Sequence, residues 1–195
     1  MERLNNAIQT SSLKILEKET AELLKKLTVE MKTRTKDAIA SLPQFLAFTT
    51  LLELPQMTEG DTGKSISFQA RQYIPLPISE VSLDWLQVGE REDENGVKKQ
   101  LVFLIGVPND HIKKYKAIFK AAGLTLRALE LESLSLGRSL IGDDKSPVAL
   151  VDIGARSSVI SVIDKGLMQY SNQTDFAASS LTQAIAGGLN INIRR

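Results

Sequence analysis

The stretch that decides the fold is VALVDIGARSSVISVI, residues 148–163. An apolar run leads to Asp152, a turn of glycine and small residues follows, and a second apolar run returns, which is typical of a β-hairpin. Such a turn can hold phosphate, because Gly154 lets the backbone approach a ligand closely and successive amides form a nest. Asp152 can reach a Mg²⁺ ion from the strand end. A plain hairpin with an aspartate at its turn explains the same residues equally well, so this motif alone leaves both interpretations open.

The segments around this hairpin predict helices and strands in alternation. A first amphipathic helix has one apolar stripe, expected to face the core, formed by Leu13, Leu16, Thr20, Leu24, Leu27 and Met31. Strands are predicted at 37–42, 45–54, 81–88, 101–107 and 124–131, and helices at 66–74, 109–122, 133–141 and 180–189. A charged hairpin loop is predicted at 89–99. This order predicts an α/β protein with a mixed sheet.

Composition excludes several classes of site and partner. The 195 residues include 24 Lys and Arg, 23 Asp and Glu, one His and no Cys. A disulfide, a thiolate metal site and a cysteine nucleophile are therefore excluded, as is a zinc site that needs several histidines. The balanced charge argues against a general nucleic-acid binder, which needs a basic excess or stripe. No apolar run in the sequence is long enough to span a bilayer.

A second candidate for phosphate binding is the segment Gly60-Asp61-Thr62-Gly63-Lys64-Ser65, which contains the Gly-Lys-Ser of a phosphate-binding loop. The consensus needs another glycine five residues before Gly63, and Thr58 stands there instead. Without that glycine the loop cannot easily wrap its amides around a phosphate. The segment is therefore interpreted as a helix N-terminus with a flexible, polar entry, and the helix itself is expected to begin near Ile66.

Three further features favour structural roles. His111 lies in the first turn of a predicted helix, so a surface or capping role is expected. The acidic residues at 90–94 lack the spacing of a calcium loop and are expected to form a solvated hairpin. Glu130 and Glu132 lie two apart on a predicted strand and would share a face. Such a pair suits acid–base chemistry, but an exposed sheet face or hinge is the favoured interpretation.

The chain resembles a known family in several segments. Asp152–Ala155 and Leu181–Ala186 together look like the second phosphate motif of the actin-like ATPases. The run Gln69–Val81, with Tyr-Ile-Pro-Leu-Pro at its centre, is similar to a segment of the PilM family, actin-like proteins of type IV pilus assembly related to the division protein FtsA. Ser41–Pro43 and Leu131–Arg138 continue the match in the same order, and the resemblance extends over residues 5–193.

The resemblance implies an α/β fold of the actin-like ATPase (ribonuclease H-like) type. A small βαββα subdomain, expected at residues 45–123, is inserted in a lobe formed by residues 1–44 and 124–195. Family members begin with a further strand–turn–strand phosphate motif and continue into a second lobe that holds the nucleotide base. This chain is therefore expected to be a fragment, incomplete at both its N- and C-terminal ends.

The resemblance also implies ATP and Mg²⁺ as ligands of the intact family. The residues carried over are Asp152, for Mg²⁺, and Gly154, Ala155, Ser157, Ser158, Ala177 and Ala178, for the nucleotide. Family members have glycine where Ala177 and Ala178 stand, and a Cβ there is expected to crowd the phosphate and to disfavour positive φ. The nucleotide site is therefore expected to be incomplete, and no hydrolytic base is recognisable in the sequence.

The function implied by the resemblance is that of a cytoplasmic scaffold at the inner face of the cytoplasmic membrane. Family members bind the cytoplasmic N-terminal peptide of a PilN-like inner-membrane protein, in the groove between the insert and its lobe, and contact other pilus machinery. Attachment to the membrane is expected only through such a partner, and no nucleic-acid partner is expected. Two alternatives stay open: a nucleotide-binding ATPase that uses Asp152 with Mg²⁺, and an FtsA-like cell-division filament protein.

Overall fold

A computed structural model describes residues 17–192 and contains five α-helices and eight β-strands in that range. Leu13 and Leu16 of the predicted first helix lie outside the described residues. In chain order the elements are α1 (Glu17–Glu30), β1 (Asp37–Leu42), β2 (Phe48–Pro55), α2 (Glu59–Tyr73), β3 (Val81–Glu92), β4 (Lys98–Pro108), α3 (Asn109–Ala121), β5 (Thr125–Leu131), α4 (Glu132–Ile141), β6 (Val148–Ile153), β7 (Ser158–Asp164), β8 (Leu167–Thr174) and α5 (Ala178–Leu189). No helix in this part of the chain is long and apolar enough to cross a membrane.

The chain divides into two compact units, of which the first comprises residues 1–41 and 108–130. Its described elements are the two helices α1 and α3 and the two-stranded sheet β1–β5. The helices pack around Ala21, Ile118 and Ala122, and the small alanines allow a close approach of the two helix axes. The ion pair between Arg127 Nε and Asp37 Oδ1 (2.8 Å) lies on the exposed surface of this unit.

The predicted core stripe of α1 is only partly correct. Leu24 is half-buried against the Ala21 cluster, but Leu27 and Met31 are 40% and 72% exposed. The helix is rotated so that Ala21, and not the larger Leu27, meets α3. Hydrophobic periodicity marked several apolar positions around this helix and could not tell which face a tertiary neighbour would cover.

The second unit, residues 42–107 and 131–195, contains two three-stranded sheets. In the first sheet the strand order is β2–β4–β3, and β2 runs antiparallel to β4 with Leu52 opposite Val102 and Leu54 opposite Gln100. Helix α2 supplies Ile66 and Ala70 to the hydrophobic core on one face of this sheet. The core therefore joins residues that are far apart in sequence. The central strand β4 is apolar and buried without alternation over residues 102–106, as expected for a strand covered on both faces.

Helix α2 begins earlier than predicted. The side chain of Thr58 caps it by accepting a hydrogen bond from the Asp61 amide at 3.3 Å, and its hydroxyl donates to Asp61 Oδ2 at 2.8 Å. The Gly60–Ser65 segment thus forms the first turns of a helix and not the flexible entry that was expected. The Thr62 amide donates to the Thr58 carbonyl at 2.8 Å and the Asp61 amide to the Thr58 hydroxyl, so the segment has a helical backbone and not the loop that wraps a phosphate.

The acidic hairpin is confirmed, with a shorter loop than predicted between β3 and β4. Asp93 closes it, since its carboxylate accepts hydrogen bonds from the amides of Asn95 (3.0 Å) and Val97 (2.9 Å). These bonds lower the pKa of Asp93, with a smaller contribution from Lys99. Gly96 takes φ +75°, which few other residues adopt easily. The acidic residues here therefore build a turn.

The second sheet has the order β6–β7–β8, and both pairs of neighbouring strands are antiparallel. This confirms the hairpin predicted at residues 148–163, and β8 adds a third strand to it. Helix α4 packs closely on β7, because a Cβ on Gly137 would lie only 2.7 Å from Ile163 Cδ1. Helix α5 follows β8 and is exposed along most of its length, with Ala186 its buried residue.

The predicted insert at residues 45–123 stays a prediction. Strands β2, β3 and β4 and helix α2, all within those boundaries, belong to the second unit, whereas α3 belongs to the first. The sheet of β2, β3 and β4 is separate from the sheet that contains Val148–Ile153.

Candidate functional site

The β6–β7 hairpin places the predicted site residues at one end of its sheet. Asp152 lies opposite Val159, and Ile153 lies opposite Ser158. Because side chains alternate along a strand, Asp152 is half-buried while its neighbours Val151 and Ile153 are 58% and 62% exposed. The hairpin therefore holds the Asp152 carboxylate on the covered side of the sheet, next to the turn.

The turn requires glycine at position 154, because the backbone of Ser157 lies too close to leave room for a side chain. The Gly154 amide donates to the carbonyl of Ser157 at 3.0 Å, and a Cβ built on Gly154 would lie 2.8 Å from that same oxygen. Gly154 is not among the glycines with positive φ. The need for glycine here is thus a steric one, and the close approach that the sequence predicted occurs between two parts of the turn itself.

The turn is bound to the start of α5. The Ala178 amide donates to the Gly154 carbonyl at 3.0 Å, and the Ser179 amide donates to the Ala155 carbonyl at 3.1 Å. The amides of Ser180 and Leu181 both donate to the Ala177 carbonyl. A helix N-terminus normally offers such amides to an anion. Here the carbonyls of the hairpin turn and of Ala177 take them.

The expected strain at Ala177 and Ala178 is absent. Ala177 has φ −147° and ψ 177°, an extended conformation open to any residue, and Ala178 is the first residue of α5. Neither is among the residues with positive φ. Ala177 is fully buried, and its amide donates to Ser180 Oγ at 3.4 Å. Alanine is expected to disfavour positive φ, and the backbone stays outside the left-handed region at both positions. Crowding of a phosphate by the two Cβ atoms stays a prediction.

The remaining site residues divide between the surface and the core. Ala155 is exposed and Ser157 is half-buried, so both lie at the accessible tip of the turn. Ser158 is buried, and its hydroxyl donates to the Phe176 carbonyl at 2.6 Å. This bond fastens the segment between β8 and α5 to β7. Ser158 therefore has a structural role in addition to its place in the predicted nucleotide site.

The structure adds one acidic residue that the sequence placed elsewhere. Glu132 does not share a strand face with Glu130, because β5 ends at Leu131 and Glu132 is the first residue of α4. Burial raises the pKa of Glu132, and the negative charge of Asp152 raises it further. The two carboxylates, twenty positions apart in sequence, therefore act on each other across the site.

A buried polar network fixes the start of α4 next to Glu132. Ser133 Oγ donates to Gln44 Oε1 at 3.1 Å, and Gln44 Nε2 donates to Thr49 Oγ1 at 2.9 Å. Ser133 and Gln44 are almost fully buried. A buried hydrogen-bonded pair restricts its neighbours, since any movement would leave a polar group unpaired. Glu132 is thereby held in one position relative to the sheet.

The carboxylates suit a magnesium ion only together with other ligands. Mg²⁺ prefers six oxygen ligands and in nucleotide sites uses one or two carboxylates, water and phosphate oxygens. Among residues 17–192 no group of three acidic or histidine side chains could hold a metal ion. Asp152 and Glu132 therefore do not form a complete metal site by themselves, and a role of Asp152 in holding Mg²⁺ stays a prediction.

His111 is separate from this site. It lies in the first turn of α3, in the first unit. Burial lowers its pKa, and Lys114 lowers it further, while Asp110 opposes the shift. Its Nδ1 atom is buried without a hydrogen-bond partner among the described residues. The imidazole is therefore neutral at pH 7. The predicted surface or capping role is not confirmed, because His111 is half-buried and its Nδ1 makes no capping hydrogen bond among the described residues.

Comparison with known proteins supports a single family. A family model described as "Type IV pilus assembly protein PilM" matches residues 4–194. Among solved structures, the chain is similar to one titled "PilM-PilN type IV pilus biogenesis complex", with a TM-score of 0.75 and 20% identity. The match covers 89% of this chain and 53% of that one, so the chain spans about half the length of that protein.

A second solved structure has a related fold. It is the cytoplasmic domain of EpsL, an inner-membrane component of the type II secretion system of Vibrio cholerae. The TM-score is 0.60 at 13% identity, over 90% of this chain and 64% of that one. Together these matches confirm the predicted α/β, actin-like ATPase fold.

The geometry of the turn predicts that Gly154→Ala destabilises the protein. The new Cβ would push the Ser157 carbonyl away and break the bond that closes the turn. We expect a loss of about 1–3 kcal/mol, as for other overpacking changes, measured by urea unfolding. Gly188→Ala is the matched control, because it lies in helix α5 and a Cβ added there would have no atom within 4 Å. That change should stabilise by about 0.5–1 kcal/mol. Equal effects of both substitutions would contradict the steric role of Gly154.

The raised pKa of Glu132 predicts a pH-dependent stability. The folded state binds the Glu132 proton more tightly than the unfolded state, so the residue lowers stability as pH rises through its folded pKa. Glu132→Gln should therefore raise the melting temperature at pH 7, and the gain should disappear below the ordinary glutamate pKa of 4.5.

Carboxyl NMR titration should also show that Asp152→Asn lowers the pKa of Glu132. Asp164→Asn, a half-buried aspartate at the far end of β7, should leave it unchanged. A pKa that does not respond to Asp152→Asn would show that the two carboxylates do not interact.

Proposed function

Because the chain belongs to the PilM family of type IV pilus assembly proteins, we propose that it is a cytoplasmic scaffold that binds the N-terminal cytoplasmic peptide of a PilN-like inner-membrane protein. The observation that carries the proposal is the family match over residues 4–194. The similar solved structure is a PilM–PilN complex, which supports this choice of partner. In this role the protein stays at the inner face of the membrane through its partner, and also contacts other pilus machinery.

The proposed peptide site is the cleft between an inserted subdomain, residues 45–123, and the lobe that carries residues 148–163. Strand β3, within residues 45–123, contacts strand β8 of the lobe, since Gln169 Nε2 donates to the Val88 carbonyl at 2.8 Å, and this contact supports the choice of site. Exposed apolar side chains flank this contact on both strands: Leu86 is 43%, Leu167 is 42% and Tyr170 is 50% exposed. An extended apolar peptide would bury these side chains and gain the free energy of removing them from water.

The structure gives less support to nucleotide binding by this chain than to the proposed peptide binding. The amides of Gly154, Ala178 and Ser179 would have to leave the carbonyls of Ser157, Gly154 and Ala155 before they could bind phosphate. Each such exchange replaces one hydrogen bond by another, so the net gain is small. One observation favours the alternative of a nucleotide hydrolase: Glu132 and Asp152 place two interacting carboxylates beside the turn. A carboxylate with a raised pKa is suited to accept a proton from water.

The scaffold proposal predicts saturable binding of the N-terminal peptide of a PilN-like protein, measured by isothermal titration calorimetry. The double variant Leu86→Gln with Leu167→Gln should weaken binding at least about tenfold, or 1.4 kcal/mol, because two apolar contacts are lost. Val97→Gln with Leu140→Gln is the matched control, since both residues are similarly exposed and lie elsewhere in the second unit. No binding by the folded wild-type protein would overturn the choice of partner. Equal binding by the two double variants would overturn only the choice of site.

We also expect Mg-ATP to bind this chain with a dissociation constant above about 1 mM, or weaker than about −4 kcal/mol. The reason is that the turn and helix amides already donate to protein carbonyls. Calorimetric titration of Mg-ATP checks this, with Asp152→Asn as a variant that removes the carboxylate proposed for Mg²⁺. Binding tighter than about 10 µM that is lost in Asp152→Asn would contradict the expectation and favour the hydrolase alternative.

A further inference from the structure

The charge of the chain is unevenly distributed between its two units. Residues 17–41 and 108–130 of the first unit carry eleven Lys and Arg against seven Asp and Glu. Residues 42–107 and 131–192 of the second unit carry nine against fifteen. The near-zero net charge of the whole chain therefore conceals a basic unit and an acidic unit. A local excess of positive charge attracts anionic surfaces even when the total charge is small.

Much of the positive charge lies on one face of α3. Lys113, Lys116 and Lys120 follow each other at spacings of three and four, so they point to the same side of the helix. All three are exposed. The buried residues Ile118 and Ala122 lie on the opposite side, against α1. Packing of the core thus fixes the lysine face toward solvent.

The charges on this face are largely free to act outward. Lys113 Nζ makes a solvent-exposed ion pair with Asp110 at 3.3 Å, which contributes little in water. Among the described residues, no carboxylate lies within ion-pairing distance of Lys116 or Lys120. The small residues Ala117 and Ala121 lie beside the lysines on the helix and leave the face without a bulky apolar anchor.

A second basic segment lies next to the strand that follows α3. The connection between α1 and β1 carries Lys32, Arg34 and Lys36, all of them exposed. The carbonyl of Lys36 accepts a hydrogen bond from the Thr125 amide at 2.8 Å, at the start of β5. The first unit therefore presents two groups of cations, with one anchored close to the C-terminal end of α3.

We propose that this lysine face, Lys113, Lys116 and Lys120, docks on the anionic headgroups of a phospholipid membrane. Protein interfaces select arginine and aromatic anchors and are depleted in lysine, whereas mobile anionic lipids can rearrange around spaced point charges. The face lies on a helix whose apolar side is already buried, so the contact is electrostatic and does not insert into the bilayer. This contact is additional to any partner peptide and does not depend on the proposed function.

The test is co-sedimentation of the full chain with vesicles of phosphatidylglycerol or of phosphatidylcholine. We expect binding to phosphatidylglycerol alone, and its loss when salt rises from about 50 to about 300 mM, because screening weakens exposed charges. Each lysine near an anionic surface contributes about 1 kcal/mol, so the triple variant Lys113→Gln, Lys116→Gln, Lys120→Gln should lower the partition coefficient roughly 100-fold.

The matched control is the triple variant Lys64→Gln, Lys98→Gln, Lys145→Gln in the second unit. It removes the same charge from exposed lysines, and Lys64 pairs with Asp61 at spacing i, i+3 as Lys113 does with Asp110. Retained binding by the control supports the proposal. Equal loss in both variants, no binding by the wild-type chain at low salt, or tighter binding to duplex DNA at equal phosphate concentration would overturn it. Circular dichroism of both variants verifies that they are folded. If a variant does not fold, the salt dependence of binding by the wild-type chain still tests the proposal.

Discussion

The arrangement of the site depends on the hydrogen bonds between the β6–β7 turn and helix α5. Both backbone polar groups of Gly154 are hydrogen-bonded: its amide donates to the Ser157 carbonyl, and its carbonyl accepts from the Ala178 amide. The Ala155 carbonyl accepts a hydrogen bond from the Ser179 amide. Turn and helix therefore cannot move separately without leaving backbone groups unpaired, which is costly away from water. This constraint fixes where Asp152 lies and where α5 begins.

The same bonds alter the chemistry of a helix N-terminus. Such an end attracts anions because its first amides have no partner within the helix. Here the Gly154 and Ala155 carbonyls bring partial negative charge to that position and take the amides of Ala178 and Ser179. A phosphate would have to displace these carbonyls from the amides. The carbonyls belong to the folded chain, so no free ligand has to be immobilised for them to bind the amides. The geometry thus favours a rigid structural joint over an open anion site.

Local chemistry allowed part of this fold to be predicted, and tertiary contacts determined the rest. The turn at Asp93 and Gly96 and the helix start after Pro108 follow from side chains that act on their own neighbours, and both were predicted. The start of α2 was missed because Thr58, interpreted only as a missing glycine, is a capping residue. The interaction between Glu132 and Asp152 joins two elements that no sequence spacing relates. The extended backbone at Ala177 is one that alanine adopts easily, and a family preference for glycine did not reveal which φ this turn takes.

Uneven charge gives a scaffold a second way to act on its surroundings. Exposed lysines alone bind an anionic surface weakly, and physiological salt reduces that attraction further. When another contact holds a protein at the surface, the weak one becomes intramolecular and its effective concentration rises into the millimolar range. A basic face such as that of Lys113, Lys116 and Lys120 then contributes little to recruiting the chain to the membrane. Its main effect is to determine which side of the first unit faces the anionic surface. An acidic second unit would be repelled by the same anionic surface. Opposite charge on the two units therefore favours membrane contact through the first unit over contact through the second, without requiring any net charge on the chain as a whole.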